Sequence, residues 1–354
     1  MRARARSGMV KWTAALLLVA LSGIPIACHS EVSPGGEAAP QPAQRPMASI
    51  VSAPVPTQAP APATASASVA VVSPESARYP APARLVAIGD LHGDLAATLK
   101  IFHAVGAIDD KRQWIGGKLV VVQTGDQLDR GDGEQEILDL LDIWRAAAKA
   151  GGGALHILNG NHETMNVALQ FNHVTQGGFA DFSDVSSSAL PATLVKQAPP
   201  HILGRVAAFH PGGFYALKMA ARQTVVIVGD SVFLHGGLTE RYARLGLARI
   251  NSEVSTWMRG LGPAPQSVAD PEGPVWLRQF SDDTVAAADC EALGNVLRVL
   301  GVSRMVVGHT VQRQGVTSAC DRRVWRIDVG LASHYGGPSE ALEIRGDAVR
   351  ILGR

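Results

Sequence analysis

The stretch from Val86 to Thr98 reads VAIGDLHGDLAAT. An apolar run stops at Ile88, and Asp90, His92 and Asp94 follow within five residues, separated by glycine. A carboxylate and an imidazole so placed are half of a metal site. Four later loops carry the other half: Asp126, Asn161, His235 and His309. Carboxylate, amide and imidazole donors together suit manganese, iron or zinc. Six donors exceed what one tetrahedral ion needs and suit two ions bridged by a single carboxylate. Paired ions clamp the attacking and leaving oxygens of an in-line displacement at phosphorus. Two dications less the charges of Asp90 and Asp126 leave a cationic site, fit for a phosphate dianion. A water bridging such ions loses its proton near neutral pH, because coordination lowers its pKa toward about 7.

These donors need rigid positions, and the pattern between them supplies such positions. Short β-branched runs end in glycine beside a polar residue: Arg84–Ile88, Lys118–Thr124, Ala154–Leu158, Thr224–Val228 with Val232–Leu234, Arg304–Val307 and Arg323–Asp328. A last hairpin, Ala341–Ile344 with Ala348–Leu352, turns at Gly346-Asp347. Three segments, Asp94–Val105, Glu134–Ala150 and Ala286–Val299, have apolar residues at helical spacing. Alternation of strand, loop and helix predicts an α/β domain, with the polar loops gathered beyond the carboxyl ends of the strands, where such sheets bind ligands. From Asn166 to Arg222 the periodicity fades, and residues 167–222 read as a cap or a loop-rich insertion.

The motifs GDLHGD, GDQLDRG, GNHE, HGG and GHT, in this order, resemble those of the calcineurin-like metallophosphoesterases, within them the phosphoprotein phosphatases, and more narrowly the Shewanella-like protein phosphatases. The resemblance covers roughly residues 84–352. It implies a β-sandwich of two mixed sheets flanked by helices and a dinuclear metal centre, manganese first with iron or zinc as alternatives. Asp90 and His92 would then bind the first ion, Asp126 would bridge, and Asn161, His235 and His309 would bind the second. His162 would be the general acid, with Asp129 keeping it protonated, and Arg130 would grip the phosphate. The segment GPVWLRQF resembles the family's second arginine segment and makes Arg278 another clamp, with Trp276 as its support. The segment ASHYGG resembles the late tyrosine loop and puts Tyr335 near the leaving group; Asn161 joins Arg130, Arg278 and Tyr335 as a substrate contact.

Departures from the family pattern narrow the branch. Asp94 stands where eukaryotic Ser/Thr phosphatases have Gln, and reads as a helix cap. Asn159 stands where they have Arg. After His309 comes Thr310-Val311, without the second histidine of the GHxH ending found in nucleases. A formal net charge of +1 over 354 residues leaves no electrostatic footprint for nucleic acid either. Outside the motifs, Met165-Asn166 read as packing, and Arg205 as a surface residue or a further contact to a substrate anion.

The N-terminus reads as an address. Arg2, Arg4, Arg6 and Lys11 precede an apolar stretch, Trp12–Ala27, that is broken by Ser22, Gly23 and Pro25 and is shorter than a bilayer span. Residues 1–28 read as a signal peptide. Small residues before Cys28 resemble a bacterial lipoprotein signal, although Pro25 replaces the usual Leu; plain secretion and an uncleaved anchor are the alternatives. Eleven of the 21 prolines lie between Pro34 and Pro82, so residues 29–82 read as an extended linker, with the catalytic domain at 83–354. The expected location is the periplasm or an outer-membrane tether. If Cys28 carries lipid, Cys290 and Cys320 remain as a disulfide candidate in an oxidising compartment, with two separate buried thiols as the alternative. The expected function is hydrolysis of phosphomonoesters by metal-bridged hydroxide, on phosphoproteins carrying phosphotyrosine or phosphoserine/threonine, or on small phosphomonoesters. A dinucleoside tetraphosphate hydrolase and a non-catalytic phospho-ligand binding module are the alternatives. Nothing in the sequence sets the oligomeric state.

Overall fold

The computed structural model describes residues 77–353; the signal peptide, Cys28 and nearly all of the expected linker lie outside the described residues. Among the described residues eleven strands form two mixed sheets. They are β1 (Arg78–Tyr79), β2 (Leu85–Ile88), β3 (Val120–Gln123), β4 (Ala154–Ile157), β5 (Val225–Val228), β6 (Ser231–Leu234), β7 (Arg304–Val307), β8 (Thr317–Ala319), β9 (Val324–Arg326), β10 (Ala341–Arg345) and β11 (Ala348–Leu352). One sheet has the order β1-β5-β6-β7-β9-β8, the other β11-β10-β2-β3-β4. In each sheet three neighbouring strands are parallel: β2-β3-β4 in one and β6-β7-β9 in the other.

The uniformly apolar strands follow from burial on both faces. In β5, Val226 and Val228 join a core that also holds Val86, Val121, Phe233 and Trp325, drawn from both sheets. Val225 and Ile227 point the other way, into a cluster with Ile250, Leu293 and Leu297 of the covering helices. Period-two alternation therefore supplies two cores from one strand. The helix Glu134–Ala150 buries Ile137, Leu138, Leu141, Trp144 and Ala148 along one stripe. Asp94 caps the helix Leu95–Ala104 by accepting from the Ala97 N–H at 2.9 Å.

Three features differ from the sequence expectation. The folded domain begins before residue 83, because Arg78 and Tyr79 pair with Ile227 and Val228; β1 has only two residues and too little periodicity to stand out from the proline-rich run. The segment 167–222 is helical, with Gln176–Asp181, Ala192–Gln197, Leu203–Phe209 and Phe214–Ala220, each too short to show a clear period. The helices Glu240–Leu245 and Leu247–Met258 also escaped the pattern reading. Cys290, in the first turn of the helix Ala287–Leu300, is bonded to Cys320 in the β8–β9 turn.

Glu343 holds the centre of β10. Its side chain is 1% exposed and meets Arg84 at 2.6 Å, Arg345 at 3.2 Å, and Arg350. Burial opposes its ionisation, but the three arginines outweigh burial and lower its pKa from 4.5 to about 2. A depressed folded-state pKa contributes stability above the unfolded value that is lost as pH falls through the folded one. Glu343→Gln should therefore destabilise the chain at pH 7, and the gap from the parent should close between about pH 4.5 and about pH 2. Urea unfolding across that range measures it; a gap independent of pH would assign the loss to packing.

Candidate metal centre

The loops after the two parallel trios open toward one place. From one sheet come Asp90 and His92 after β2, Asp126 to Arg130 after β3, and Asn159 to Glu163 after β4. From the other come His235 after β6, His309 after β7 and Asp328 after β9. All six candidate ligands are buried.

Backbone carbonyls set the orientation of each imidazole. His92 Nδ1 lies 3.0 Å from Leu128 O, His235 Nδ1 3.1 Å from Thr124 O, and His309 Nε2 3.1 Å from Trp276 O. A carbonyl only accepts, so each of these nitrogens carries the proton and the opposite nitrogen presents a lone pair. Those lone pairs face other acceptors. His235 Nε2 is 3.1 Å from His309 Nδ1, 2.8 Å from Asn161 Oδ1 and 3.2 Å from Asp126 Oδ2. Asp126 Oδ2 also stands 3.8 Å from His92 Nε2 and 3.7 Å from His162 Nε2. Four acceptors converge with no proton to share, an arrangement that a cation satisfies. Burial holds His92 and His309 neutral, at about 3 and about 2. The donor set thus fits divalent ions: His92, Asp126 and His162 form one group and Asp126, His235 and His309 a second that shares Asp126.

The loops reach these positions at a conformational cost. His92, Asp126, Asp129, Arg130 and His309 all have positive φ, from 46° to 71°, a region that side chains other than glycine rarely occupy. Gly160 and Gly308 allow close approach: a Cβ on Gly160 would stand 2.2 Å from Asp126 Oδ1, and one on Gly308 2.4 Å from Asp90 Oδ1. Glu163 pins the strained loop. Its Oε2 accepts from Asp126 N (2.8 Å) and Gly160 N (2.7 Å), and its Oε1 from Gln127 N (2.8 Å) and Leu128 N (3.3 Å).

Beside the cluster, His162 Nδ1 meets Asp129 Oδ2 at 2.5 Å. Burial disfavours the imidazolium, but Asp126 and Asp129 outweigh it and raise the His162 pKa. Arg130 Nη2 lies 3.3 Å from His162 Nε2, and its guanidinium stacks over the Tyr335 ring at 5.2 Å. Tyr335 also stands 5.5 Å from the His92 ring. Arg278 donates to His309 O at 2.8 Å and Thr310 Oγ1 at 2.9 Å. A cleft of about 850 Å³, lined by His92, Arg130, Asp132, Thr175, Ser333 and His334, opens onto this group. Cys290 and Cys320 belong to a different part of the fold.

Three residues were missed or misread in the sequence. Asp328 is buried beside Asp90, and burial lifts its pKa to about 6; its place just past a strand end and two residues before Gly330 was the available signal. Arg205 is 0% exposed and pairs with Asp129 and Glu134. It is not a surface residue, and no local pattern marks it as buried. Asn166, read as packing, donates to Asp129 Oδ1 at 3.0 Å.

The calcineurin-like phosphoesterase family model matches residues 83–313. Shewanella-like protein phosphatase 2 of Arabidopsis thaliana is 39% identical over 307 residues, covering 78% of each chain. The chain belongs to the calcineurin-like phosphoesterases. Within them it falls in the Shewanella-like protein phosphatase branch, and it is a metal-dependent phosphoric monoester hydrolase. Shewanella-like protein phosphatase 1 of Plasmodium berghei is 25% identical, covering 72% of this chain and 69% of that one. Among solved structures, a cold-active protein tyrosine phosphatase shares the fold with a TM-score of 0.62 at 23% identity, covering 77% of each chain.

Glu163→Gln tests the scaffold of this phosphoesterase site. One acceptor becomes an amide donor facing N–H groups, which should lower folding stability by about 2 kcal/mol and weaken metal uptake. Thermal unfolding and metal titration read the two effects, and unchanged metal affinity would count against the loop-pinning role.

Proposed function

We propose that this chain is an exported phosphoprotein phosphatase that uses two divalent ions, manganese first, and favours phosphotyrosine over phosphoserine and phosphothreonine. The observation that carries the reading is the convergence of lone pairs on His235, His309, Asn161 and Asp126 beside the His162–Asp129 pair. Asp90 and His92 would hold one ion, Asn161, His235 and His309 the other, with Asp126 between them. The mixture of carboxylate, amide oxygen and imidazole supports manganese, with iron or zinc as alternatives. Bound there, the ions supply Lewis acidity at the phosphoryl oxygens and lower the pKa of water.

The chain's own residues do the rest. Arg130, stacked on Tyr335, turns its fork of donors to the phosphate. Arg278 sits across the site on His309 O and approaches from the other side. His162 presents Nε2 to the leaving oxygen and gives it a proton, while Asp129 holds Nδ1 and stabilises the imidazolium. His92 lines the cleft and the other candidate ligands are buried, so a phosphate carried far from its backbone reaches them more easily; that supports phosphotyrosine. The Cys290–Cys320 bond supports an oxidising compartment and, with the N-terminal signal, a periplasmic or lipid-tethered location.

Purified chain in Mn²⁺ should release phosphate from matched peptides in the order phosphotyrosine, then phosphoserine and phosphothreonine. Equal rates on all three would sink the tyrosine preference. No release by fully metallated chain would move the reading to a phospho-ligand binding module. Asp126→Asn should abolish release and cut metal content measured by elemental analysis; an active, fully metallated variant would refute the bridging role.

A further inference from the structure

Arg205 lies on the helix Leu203–Phe209, inside the segment that interrupts the phosphoesterase pattern. It is fully buried, yet each guanidinium nitrogen has an acceptor. Nε donates to Asn166 Oδ1 at 2.9 Å. Nη1 donates to Gly178 O at 2.9 Å and to Glu134, and Nη2 to Asp129 Oδ1 at 3.1 Å. The rings of Phe171, Phe182 and Phe209 enclose it, with the guanidinium carbon 5.8, 5.1 and 5.1 Å from their centres. All three rings come from the same interrupting segment.

The partners of Arg205 are the partners of the dyad. Asp129 has two carboxylate oxygens. Oδ2 meets His162 Nδ1, while Oδ1 accepts from Arg205 and from Asn166 Nδ2 at 3.0 Å. Asn166 Nδ2 also donates to His162 O at 2.9 Å. Glu134 Oε1 accepts the Asp129 N–H at 2.6 Å, which pins the residue whose φ is 68°. Arg205 therefore grips Asp129 directly through Oδ1 and indirectly through Glu134 and Asn166. A carboxylate fixed at one oxygen cannot rotate the other away from its imidazole. A planar fork does this and an ammonium does not, because only the fork reaches four acceptors in fixed directions. The aromatic cage excludes water, so no solvent molecule can substitute for a lost contact.

We propose that Arg205 is a positioning residue that aims the Asp129–His162 pair, so that folding of the 167–222 segment is coupled to proton delivery at the leaving group. The proposal rests on the reading of His162 as the general acid. That role has a signature: a proton donor matters most when the leaving oxygen is basic. Loss of the donor therefore slows phenyl phosphate more than p-nitrophenyl phosphate, whereas partial unfolding slows both alike.

The test compares kcat and KM on these two esters, in Mn²⁺, for the full chain and for His162→Ala, Arg205→Met and Arg205→Lys. Removing Arg205 alone leaves two carboxylates buried without their cation. The double variant Arg205→Met/Glu134→Gln removes one charge of each sign and keeps the cluster balanced, so it serves if Arg205→Met does not fold. The expected result is a kcat loss of at least about tenfold on phenyl phosphate, a much smaller loss on p-nitrophenyl phosphate, and little change in KM. Arg205→Lys should recover only part of the loss. In ¹⁵N-histidine-labelled, metal-free protein, the downfield His162 Nδ1–H resonance should shift or vanish in Arg205→Met or the double variant. If His162→Ala shows the leaving-group dependence and the Arg205 variants lose rate equally on both esters, the proposal is overturned and the acid reading stands. If His162→Ala shows none, the acid reading fails and takes the proposal with it.

Discussion

Lone pairs turned toward one another are the constraint on which this structure depends. His235 and His309 each commit one ring nitrogen to a backbone carbonyl and face each other with the other, 3.1 Å apart. Without a cation the arrangement is unfavourable, and it persists because the fold over-determines it. The carbonyls of Thr124 and Trp276 lie in loops held by sheet ends and by the Gly273–Phe280 segment. The left-handed backbone at Asp126 and His309 is held by hydrogen bonds, from the Asp126 N–H to Glu163 and from the His309 N–H to Asp90. Strain at the loops and electrostatic tension among the donors are thus both sustained by packing elsewhere.

The two sheets divide the labour. The parallel trio β2-β3-β4 delivers Asp90, His92, Asp126 and Asn161, together with the His162–Asp129 pair. The trio β6-β7-β9 delivers His235, His309 and Asp328. The apolar core shared by the sheets sets the distance between these groups, so the spacing of the site is a property of sandwich packing. Asp328 adds a second buried carboxyl beside Asp90. Burial raises both above the ordinary range, and a dication at Asp90 would oppose that rise.

The interrupting segment 167–222 has a different function from a simple cover. Its three phenylalanines enclose Arg205, and Arg205 reaches the Asp129 carboxylate from behind. A charged group so deeply buried is tolerable only because its partners are charged and its hydrogen-bonding capacity is filled.

Much of the site was legible in the sequence, because a strand that ends in a fixed loop presents its polar residues at short, regular spacing. Asp90, His92, Asp126, Asn161, His162, His235 and His309 were each marked that way, and the alternation of strands and helices announced the α/β layers. Tertiary structure alone decided which nitrogen of each histidine faces the centre, since that depends on carbonyls far away in the chain. It also decided the burial of Arg205, which lies 76 positions from Asp129 on a helix too short to show a face. The two-residue strand β1 was likewise invisible, because its place comes from pairing with β5 and from no pattern of its own. Sequence determines chemistry where function and fold share a local motif; where a side chain is defined by distant partners, only the packed structure settles what it does.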